Sequence, residues 1–460
     1  MMADIAIPFQ PILYIPTVFI ENFRFLMNSI ISSIHVICAA IILWLAQPCL
    51  AQPVDASTIQ GKVLVGYQGW FRCAGDGNPQ GVWSRWFHGK NDQTTAEIAN
   101  PAKRGWRVDM YPDVSDMDAS SLFAVPNLMI NGKQAYLFSS FPKATADTHF
   151  RWMRQYGIDG ALMQRFVGVI PRYHDEHDAV LRNAIASAEQ NGRVIAVEYD
   201  LSGGQAETVF DALKKDWLYL IKDLKITKSP AYLYEKGKPV VSIWGLGVKR
   251  RITDPNIGKQ IVQWFKTEGQ ATVMGGVPTG WATLSGDAQT DPGWSDVYQK
   301  LDIVQPWSVG RYKDAESATE WKTTHLLPDI ALTQRNHQEY LPVIFPGFSW
   351  HNVRPEDRSN RIPRQGGKFF WQQAMDTKSA GSTMVKIAMF DEVNEGTAIF
   401  KVTPTHHDAP SEAPFVTLDT DGLSLPSDWY LRIAGEITRV YHGETPVTMT
   451  MPAQPMSPSK

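Results

Sequence analysis

Two glutamates, Glu392 and Glu395, follow directly after an apolar run near the end of the chain. The run reads STMVKIAMF over residues 382–390, and DEVNEG follows it at 391–396. An apolar run of this length is typical of a strand that is buried on both faces of a parallel sheet. Carboxylates after such a strand lie at the edge where α/β barrels carry their active sites. Because most glycoside hydrolases use two neighbouring carboxylates, cleavage of glycosidic bonds is the first hypothesis.

The spacing of the two glutamates requires a turn. Residues three apart on a continuous strand face opposite sides of the sheet, so both carboxylates reach one substrate only if the strand ends near Asp391. Asn394 and Gly396 favour such a turn. Once adjacent, the two carboxylates should separate in pKa, so that one is ionised as base or nucleophile and the other is protonated as general acid. The alternative is an ordinary solvated loop.

Aromatic and hydrogen-bonding side chains stand at the ends of most of the other predicted strands. A sugar ligand needs this mixture, because ring faces stack on its C–H groups while polar groups fix its orientation. We therefore expect an oligosaccharide or polysaccharide as the partner. The residues expected to contact it are Tyr67, Trp70, Arg165, Glu198, Tyr199, Trp244, Trp307, Trp350 and His351.

The composition narrows the classes of partner. The chain has 44 Lys and Arg against 47 Asp and Glu, a net charge of −3, which gives no electrostatic basis for binding nucleic acid. Its 16 Trp, 15 Tyr and 20 Phe suit a carbohydrate cleft, although a large barrel also buries many aromatic residues. The sequence lacks the motifs of zinc peptidases, phosphate-binding loops and dinucleotide-binding folds. Neither a metal nor another cofactor is therefore expected.

Strand-like apolar runs alternate with helical patterns along the chain. Eight such runs predict an α/β fold, a (β/α)8 TIM-type barrel over residues 61–445. Residues 71–142 are rich in Gly, Asp, Trp and Pro, and they predict a long insertion at the barrel mouth after the first strand, with a separate small domain as the alternative. The predicted strands are Val63–Trp70, Gly160–Phe166, Arg193–Asp200, Pro239–Trp244, Ala271–Gly276, Asp302–Trp307, Leu341–Pro346 and Met384–Asp391.

The first 51 residues have the features of a signal peptide. An apolar stretch at Ile34–Leu45 has the length of a signal h-region and is short for a membrane span. Small residues before Gln52 offer a cleavage site. We therefore expect a secreted or periplasmic protein that has no membrane contact after cleavage. An uncleaved anchor, or initiation at Met27, is the alternative.

Cleavage at that site would leave Cys73 as the single cysteine, so no internal disulfide is expected. Residues 52–60 would then form a short linker before the barrel. Residues 446–460, which contain several prolines, are expected to form a flexible tail.

Several segments resemble glycoside hydrolase family 99, the endo-α-mannosidase-like enzymes, and the related family 71. The FDEVNEGT segment at 390–397 is similar to the Glu-x-x-Glu-Gly-Thr sequence that ends a late barrel strand in those proteins. Tyr67 and Trp70 in the opening strand agree as well. Further similar segments are RVDMYPDVSDMD at 107–118, HFRWMRQYGIDG at 149–160 and LPSDWYLRIAGE at 425–436.

The resemblance implies a retaining, endo-acting glycosidase on a (β/α)8 barrel without a metal. It implies that Glu392 acts as a base on the substrate's own 2-hydroxyl, giving an anhydro-sugar intermediate, and that Glu395 acts as general acid and then base. The chain departs from the family pattern in that Val393 and Asn394 stand where Trp and His are usual, and Asp391 replaces an Asn. These changes keep both carboxylates and leave the mannose specificity open.

Two alternatives stand beside this interpretation. One is a barrel that binds glycans without cleaving them. The other is a glycosidase of different linkage or stereochemistry, such as a family-71-like α-glucanase, a xylosidase or an arabinosidase. The sequence does not name the sugar, the linkage or the oligomeric state.

Overall fold

A computed structural model describes residues 53–89 and 93–452 of the chain. The predicted signal peptide lies outside these residues. The strands are β1 (Val63–Tyr67), β2 (Leu122–Ile130), β3 (Lys133–Phe138), β4 (Gly160–Phe166), β5 (Val194–Asp200), β6 (Tyr234–Glu235), β7 (Lys238–Trp244), β8 (Thr272–Val277), β9 (Ile303–Pro306), β10 (Glu339–Tyr340), β11 (Val343–Ile344) and β12 (Val385–Ile387). The α-helices are α1 (Thr95–Ala99), α2 (Lys143–Gln155), α3 (Ile170–Asn191), α4 (Val209–Lys222), α5 (Pro255–Lys266), α6 (Gly293–Tyr298), α7 (Ala315–Trp321), α8 (Leu327–Arg335), α9 (Lys368–Ser379) and α10 (Trp429–Tyr441).

The parallel strands close into a barrel. Hydrogen bonds join β12, β1, β4, β5, β7, β8 and β9 in that order. β10 pairs with β9, and β11, which follows it on the same extended segment, pairs with β12. Residues 339–344 therefore bridge the two edges of the sheet, with Leu341 N donating to Val304 O. The predicted (β/α)8 barrel is confirmed, and its seventh strand is the one interrupted near Pro342.

The barrel strands form where near-continuous apolar runs occur. Every residue of β1 (VLVGY), β5 (VIAVEYD) and β8 (TVMGGV) is buried. A strand of a parallel barrel is covered on one face by helices and on the other by the packed interior, so both faces favour apolar residues. Polar residues inside such strands are therefore informative, because each needs a buried partner.

The helices pack around the outside of the barrel, each starting and ending at recognisable signals. In α5, the Asp254 side chain caps the first turn by accepting a hydrogen bond from Asn256 N, and the buried residues of the helix include Ile261 and Phe265. α3 ends at Gly192, whose left-handed conformation is typical of a helix C-terminus. Within the described residues, no helix has both the length and the apolarity to cross a membrane.

The insertion after β1 lies between residues 71 and 142 and is confirmed as part of the fold. It contains α1 and an antiparallel hairpin of β2 and β3. It returns to its starting point, because Ser140 N donates to Phe71 O at 2.8 Å. Residues 108–113 of the insertion contact the loops that follow the last two barrel strands. Asn352 Nδ2 donates to Val108 O, and Asp109 N donates to Val393 O.

The segments flanking the barrel are attached to it. In the predicted linker, Ile59 is fully buried and its N–H donates to Glu235 Oε2 at 2.8 Å. Val54 N also donates to Gly192 O. These contacts fix residues 54 and 59 of the predicted short linker to the barrel. At the other end, Thr448 O accepts a hydrogen bond from Trp371 Nε1.

Candidate active site

The two glutamates lie on a tight loop just beyond β12. The strand ends at Ile387, earlier than predicted, and the chain folds back so that Met389 N donates to Thr397 O. Gly396 has a φ of 66°, and a side chain there would meet Ser349 N at 2.8 Å. Glycine is therefore required where the loop passes the neighbouring loop after β11. This turn is the feature that lets Glu392 and Glu395 serve one site.

Glu392 is buried and held from two sides. Its Oε1 accepts a hydrogen bond from Gln68 Nε2 at 2.5 Å, and its Oε2 accepts one from Thr397 Oγ1 at 2.8 Å. Burial and the nearby charge of Glu395 raise the pKa of Glu392 well above its ordinary value, against the two hydrogen bonds. The side chain is thus fixed in place, and its titration is tied to that of Glu395.

Glu395 is partly exposed and faces other acidic groups. Burial raises its pKa to about 7, with further contributions from the charges of Asp109 and Asp200, while Arg85 opposes them. A carboxyl group that titrates near neutral pH can donate and accept a proton within one catalytic cycle. Since the two glutamates are electrostatically coupled, their titration belongs to the pair rather than to either residue.

Asp391 clamps the loop to the end of β1. Its carboxylate accepts hydrogen bonds from Gln68 N at 2.8 Å and Gly69 N at 2.9 Å. Burial nevertheless raises the pKa of Asp391 to about 6. This contact fixes the backbone of Gln68, whose side chain in turn holds Glu392.

Asp109, from the insertion, clamps a second side of the site. Its carboxylate accepts hydrogen bonds from Ser349 Oγ, from His351 N at 2.8 Å and from Asn352 N at 2.8 Å. Its own N–H donates to Val393 O at 3.0 Å, between the two glutamates. One buried side chain therefore joins the insertion, the loop after β11 and the catalytic loop.

Partly exposed tryptophans lie at several strand ends, as the sugar-binding prediction requires. Trp244 and Trp307 contact edge to face at 5.6 Å between ring centroids, and Trp70 stacks on Phe166 at 5.1 Å. The buried indole N–H groups of Trp70 and Trp244 have no acceptor in the described part of the chain. Each can therefore donate a hydrogen bond to a sugar hydroxyl.

Trp350 and His351 are also partly exposed on the loop after β11. The guanidinium of Arg354 lies 4.9 Å from the centre of the Trp350 ring, and His351 Nδ1 contacts Asp357 O at 2.7 Å. Both stay candidates for substrate contact, because Asp109 attaches their backbone to the catalytic loop.

Three residues predicted to bind sugar instead serve the packing between strands and helices. Arg165 binds Asp216 through Nε at 2.7 Å and through Nη2 at 2.6 Å, and it also binds Asp178. Tyr199 is fully buried and donates to Asp216 at 2.7 Å. These partners lie on α3 and α4, so the predictions for Arg165 and Tyr199 are corrected: both side chains face outward from the barrel.

Tyr67 is the third of these residues. It is almost fully buried, its hydroxyl bonds His149 Nδ1 at 2.8 Å, and its ring stacks on Phe390 at 5.9 Å. The prediction that it contacts substrate is corrected, and its neighbour Gln68 is the residue of β1's end that reaches the carboxylate pair. A shift of one residue along a strand exchanges the two faces, which accounts for the error.

Glu198 faces the barrel interior and is a structural ion-pair partner. Both its oxygens accept from Lys386 Nζ, at 2.6 and 2.8 Å, and neither side chain is accessible. Ser242 Oγ donates to Glu198 as well, and Lys386 lies over the ring of Trp307 at 5.3 Å. The prediction that Glu198 contacts sugar is therefore corrected: Glu198 fixes Lys386, which packs against the ring of Trp307.

Sequence reasoning missed the residues that support the pair. Gln68 is adjacent to the predicted Tyr67, and Thr397 is the last residue of the FDEVNEGT segment, so the sequence positions of both pointed to the site. The sequence position of Arg85, in the insertion, gave no such indication. Among the described residues, no group of three or more His, Cys, Asp or Glu side chains is arranged to hold a metal ion.

Comparison with solved structures identifies a shared fold. The structure of the glycoside hydrolase family 99 endo-alpha-mannosidase from Bacteroides thetaiotaomicron aligns with a TM-score of 0.60 and 14% identity, over 84% of this chain and 99% of that chain. The complex of that enzyme with bis-tris-propane aligns with a TM-score of 0.59, the same identity and the same coverage. No protein-family model matches the sequence, and a search of curated proteins gave no match. The chain thus has the fold of family 99 endo-alpha-mannosidase structures.

Proposed function

We propose that this protein is a glycoside hydrolase that cleaves α-linked bonds in a glycan or polysaccharide, with Glu392 and Glu395 as its catalytic pair. The observation that carries the proposal is their arrangement. Two coupled carboxyl groups with raised pKa values lie beyond the carboxyl end of a barrel strand, and partly exposed tryptophans stand at neighbouring strand ends. The sequence resemblance and the family 99 fold support the same reaction class.

The pair is suited to move protons during cleavage. Because burial and mutual repulsion disfavour two negative charges side by side, the pair shares a proton over the neutral range. The protonated member can protonate the oxygen of the leaving sugar while the ionised member accepts a proton from the substrate. Following the resemblance, we assign the acid role to Glu395, which is partly exposed to solvent, and the base role to Glu392, which is fixed by Gln68 and Thr397.

We infer a retaining outcome through the substrate's own 2-hydroxyl. Glu392 would take the proton of that hydroxyl as its oxygen attacks the anomeric carbon, and the bond to the leaving oxygen breaks as Glu395 protonates it. Glu395 would then take a proton from water as the water oxygen attacks the anomeric carbon. The bond from the 2-oxygen to that carbon breaks, and Glu392 returns its proton to the 2-oxygen. Two inversions at the anomeric carbon give overall retention.

The two residues between the glutamates differ in type from those that are usual in family 99. Val393 is fully buried, and its carbonyl binds the backbone of Asp109. Asn394 has a buried Oδ1 without a donor in the described part of the chain, so a substrate hydroxyl can supply one. The sugar at the cleavage point is thus expected to meet an amide at this position instead of an imidazole.

Export is part of the proposal. The apolar stretch at Ile34–Leu45 and the small residues before Gln52 support cleavage by a signal peptidase.

A screen of α-linked polysaccharides tests the function. Products would be separated by size, and the anomer released first would be followed by NMR before it equilibrates. We expect cleavage of an α-linked glycan with the same anomeric configuration in the product. The double variant Glu392→Gln/Glu395→Gln is the blank. Binding of a glycan that stays intact over long incubation with the wild-type protein would instead support a non-catalytic barrel.

A further inference from the structure

A cavity of about 210 Å³ opens beside the catalytic pair, between the insertion and the start of α3. It is smaller than a typical pocket for a whole ligand, so it fits one part of a larger molecule. We call it the arginine cavity. Its lining includes Trp70, Arg72, Arg85, Arg107, Glu176 and His177.

The charges of the arginine cavity do not balance. Nε of Arg72 lies 4.0 Å from Glu176 Oε2, and its Nη1 donates to the carbonyls of Gly69 and Phe71, so the charge of this arginine has an acidic partner. The guanidinium groups of Arg85 and Arg107 form neither an ion pair nor a hydrogen bond in the part of the chain that the structure describes. Two half-buried guanidinium groups without a partner in one cavity cost free energy unless a ligand supplies the negative charge.

The electrostatics of neighbouring groups agree with a positive cavity. Burial lowers the pKa of Arg107, in agreement with the absence of an ion pair to it among the described residues. Burial and Arg107 together lower the pKa of Arg85 to about 10. Burial and the surrounding arginines, Arg85 among them, lower the pKa of His177 to about 3. Both arginines therefore stay charged at neutral pH, and the histidine stays neutral.

Arg85 is held in an unusual conformation that connects the cavity to the catalytic site. Its φ of 70° lies in the left-handed region, which residues other than glycine adopt at a cost. This backbone places the guanidinium 4.0 Å from the centre of the Trp70 ring. The charge of Arg85 also acts on both Glu392 and Glu395. Trp70, one of the predicted sugar contacts, and Arg85 both line the arginine cavity, so these two residues connect it to the proposed sugar site.

We propose that the arginine cavity binds an anionic substituent of the glycan, which is a uronate carboxylate or a sulfate ester. The guanidinium forks of Arg85 and Arg107 match the paired oxygens of such groups. The proposal rests on the proposed function, because it names the class of glycan that the same site accepts: an acidic α-linked polysaccharide.

Binding of matched glycan pairs tests the inference. The mature chain carrying Glu395→Gln would be titrated with α-linked trigalacturonate and its methyl ester, and with a sulfated α-linked glucan trisaccharide and its desulfated form. Free glucuronate and inorganic sulfate serve as probes that need no sugar backbone. We expect the charged member of at least one pair to bind about 10- to 100-fold more tightly, as charge-assisted hydrogen bonds allow. The pair that shows the difference identifies the anion.

Variants of the cavity separate this role from a structural one. Arg107→Gln should abolish the preference for the charged member, Arg107→Lys should keep part of it, and Arg335→Gln, on the exposed end of α8, should leave it unchanged. Equal affinity for charged and neutral members of every pair, with no binding of either small anion, would overturn the proposal. So would a preference that persists in Arg107→Gln and Arg85→Gln.

The two proposals can fail separately. If the wild-type protein hydrolyses neutral α-glycans and shows no preference for anions, the inference about the arginine cavity is wrong while the function stands. If anionic glycans bind through Arg107 but no glycan is cleaved, the cavity stands and the hydrolase assignment is wrong.

Discussion

At the scale of single residues, the protonation of Glu395 is the property on which the proposed reaction depends. Its pKa of about 7 arises from burial and from the charges of Asp109 and Asp200. The general acid must carry a proton, so kcat/KM should fall as the pH rises through about 7. This alkaline limb is the expected signature of the coupled pair in the free protein, with Glu395 as the member that must stay protonated.

Asp200→Asn should move that limb to lower pH. The substitution removes a negative charge that raises the pKa of Glu395, so the acid loses its proton at a lower pH than in the wild type. A pH profile of kcat/KM measures the shift. Asp223→Asn, at the far end of α4, is the matched control and should leave the limb in place. A limb that stays in place, or moves to higher pH, in Asp200→Asn would show that Glu395 is not the titrating acid.

The residue scale also shows where sequence reasoning reaches its limit. The Glu392 and Glu395 pair could be predicted because an apolar strand, a turn signal and a similar motif coincided. The contacts of Tyr67, Arg165 and Tyr199 could not, because alternate residues of a strand face opposite sides, and nothing in the sequence set the register. The partners that decided these cases, such as Asp216, lie on the helices that cover the barrel, and only folding places them against these strands.

At the scale of elements, the ion pair between Lys386 of β12 and Glu198 of β5 joins two strands across the barrel interior. Lys386→Met alone should lower the free energy of unfolding by about 3–5 kcal/mol, because it leaves a buried charge without a partner. The double variant Lys386→Met/Glu198→Gln should lose clearly less than the sum of the two single variants. Equilibrium unfolding in urea measures each value. Strictly additive losses would contradict a direct interaction.

Asp391 joins two further elements, and its replacement by Asn is the natural test because family 99 carries Asn there. The carboxylate accepts hydrogen bonds from two backbone N–H groups, whereas an amide offers one oxygen and turns its NH2 toward the other donor. Asp391→Asn should therefore cost about 1–3 kcal/mol of stability and reduce turnover through Gln68. Urea unfolding and kcat measure the two effects. An Asn variant of unchanged stability would mean that the loop does not need the second bond.

Strands were predicted well where an apolar run was continuous and less well where it was not. β4 has the predicted bounds, and β12 is shorter than its apolar run because the chain turns back after Ile387. The hairpin of β2 and β3 was not predicted. Its first strand contains Pro126 and a left-handed Asn127, and the pairing shifts register between Ala124 and Met129, so the alternation that marks a strand is lost.

At the scale of the whole molecule, the barrel could be predicted because eight strand-like apolar runs alternate along the chain with segments of helical periodicity. The insertion could be located by its composition, but its function in the site could not. Asp109 reaches the catalytic loop only because the chain returns to the barrel mouth, and that path depends on contacts made by distant segments.

Export is the prediction that concerns the entire chain. Expressed from its own start in a bacterial host, the protein should be recovered outside the cytoplasm with Gln52 at its N-terminus. Cell fractionation and N-terminal sequencing measure this. A variant with charged residues in the apolar stretch at Ile34–Leu45 is the control and should stay in the cytoplasm. Full-length wild-type protein retained in the cytoplasm or in the membrane would contradict the signal-peptide assignment.

The most direct test of the account is the turnover of Glu395→Gln on an acidic or neutral α-linked glycan that the wild-type protein cleaves. Loss of general acid catalysis should lower kcat by about 10²- to 10⁴-fold while the affinity for the glycan is kept. Substrates with a good leaving group, which need no proton in the first step, should regain much of the lost kcat/KM in Glu395→Gln but not in Glu392→Gln. Glu189→Gln, on the exposed surface of α3, controls for the substitution itself. A Glu395→Gln protein that turns over the glycan at the wild-type rate would contradict the assignment of the pair.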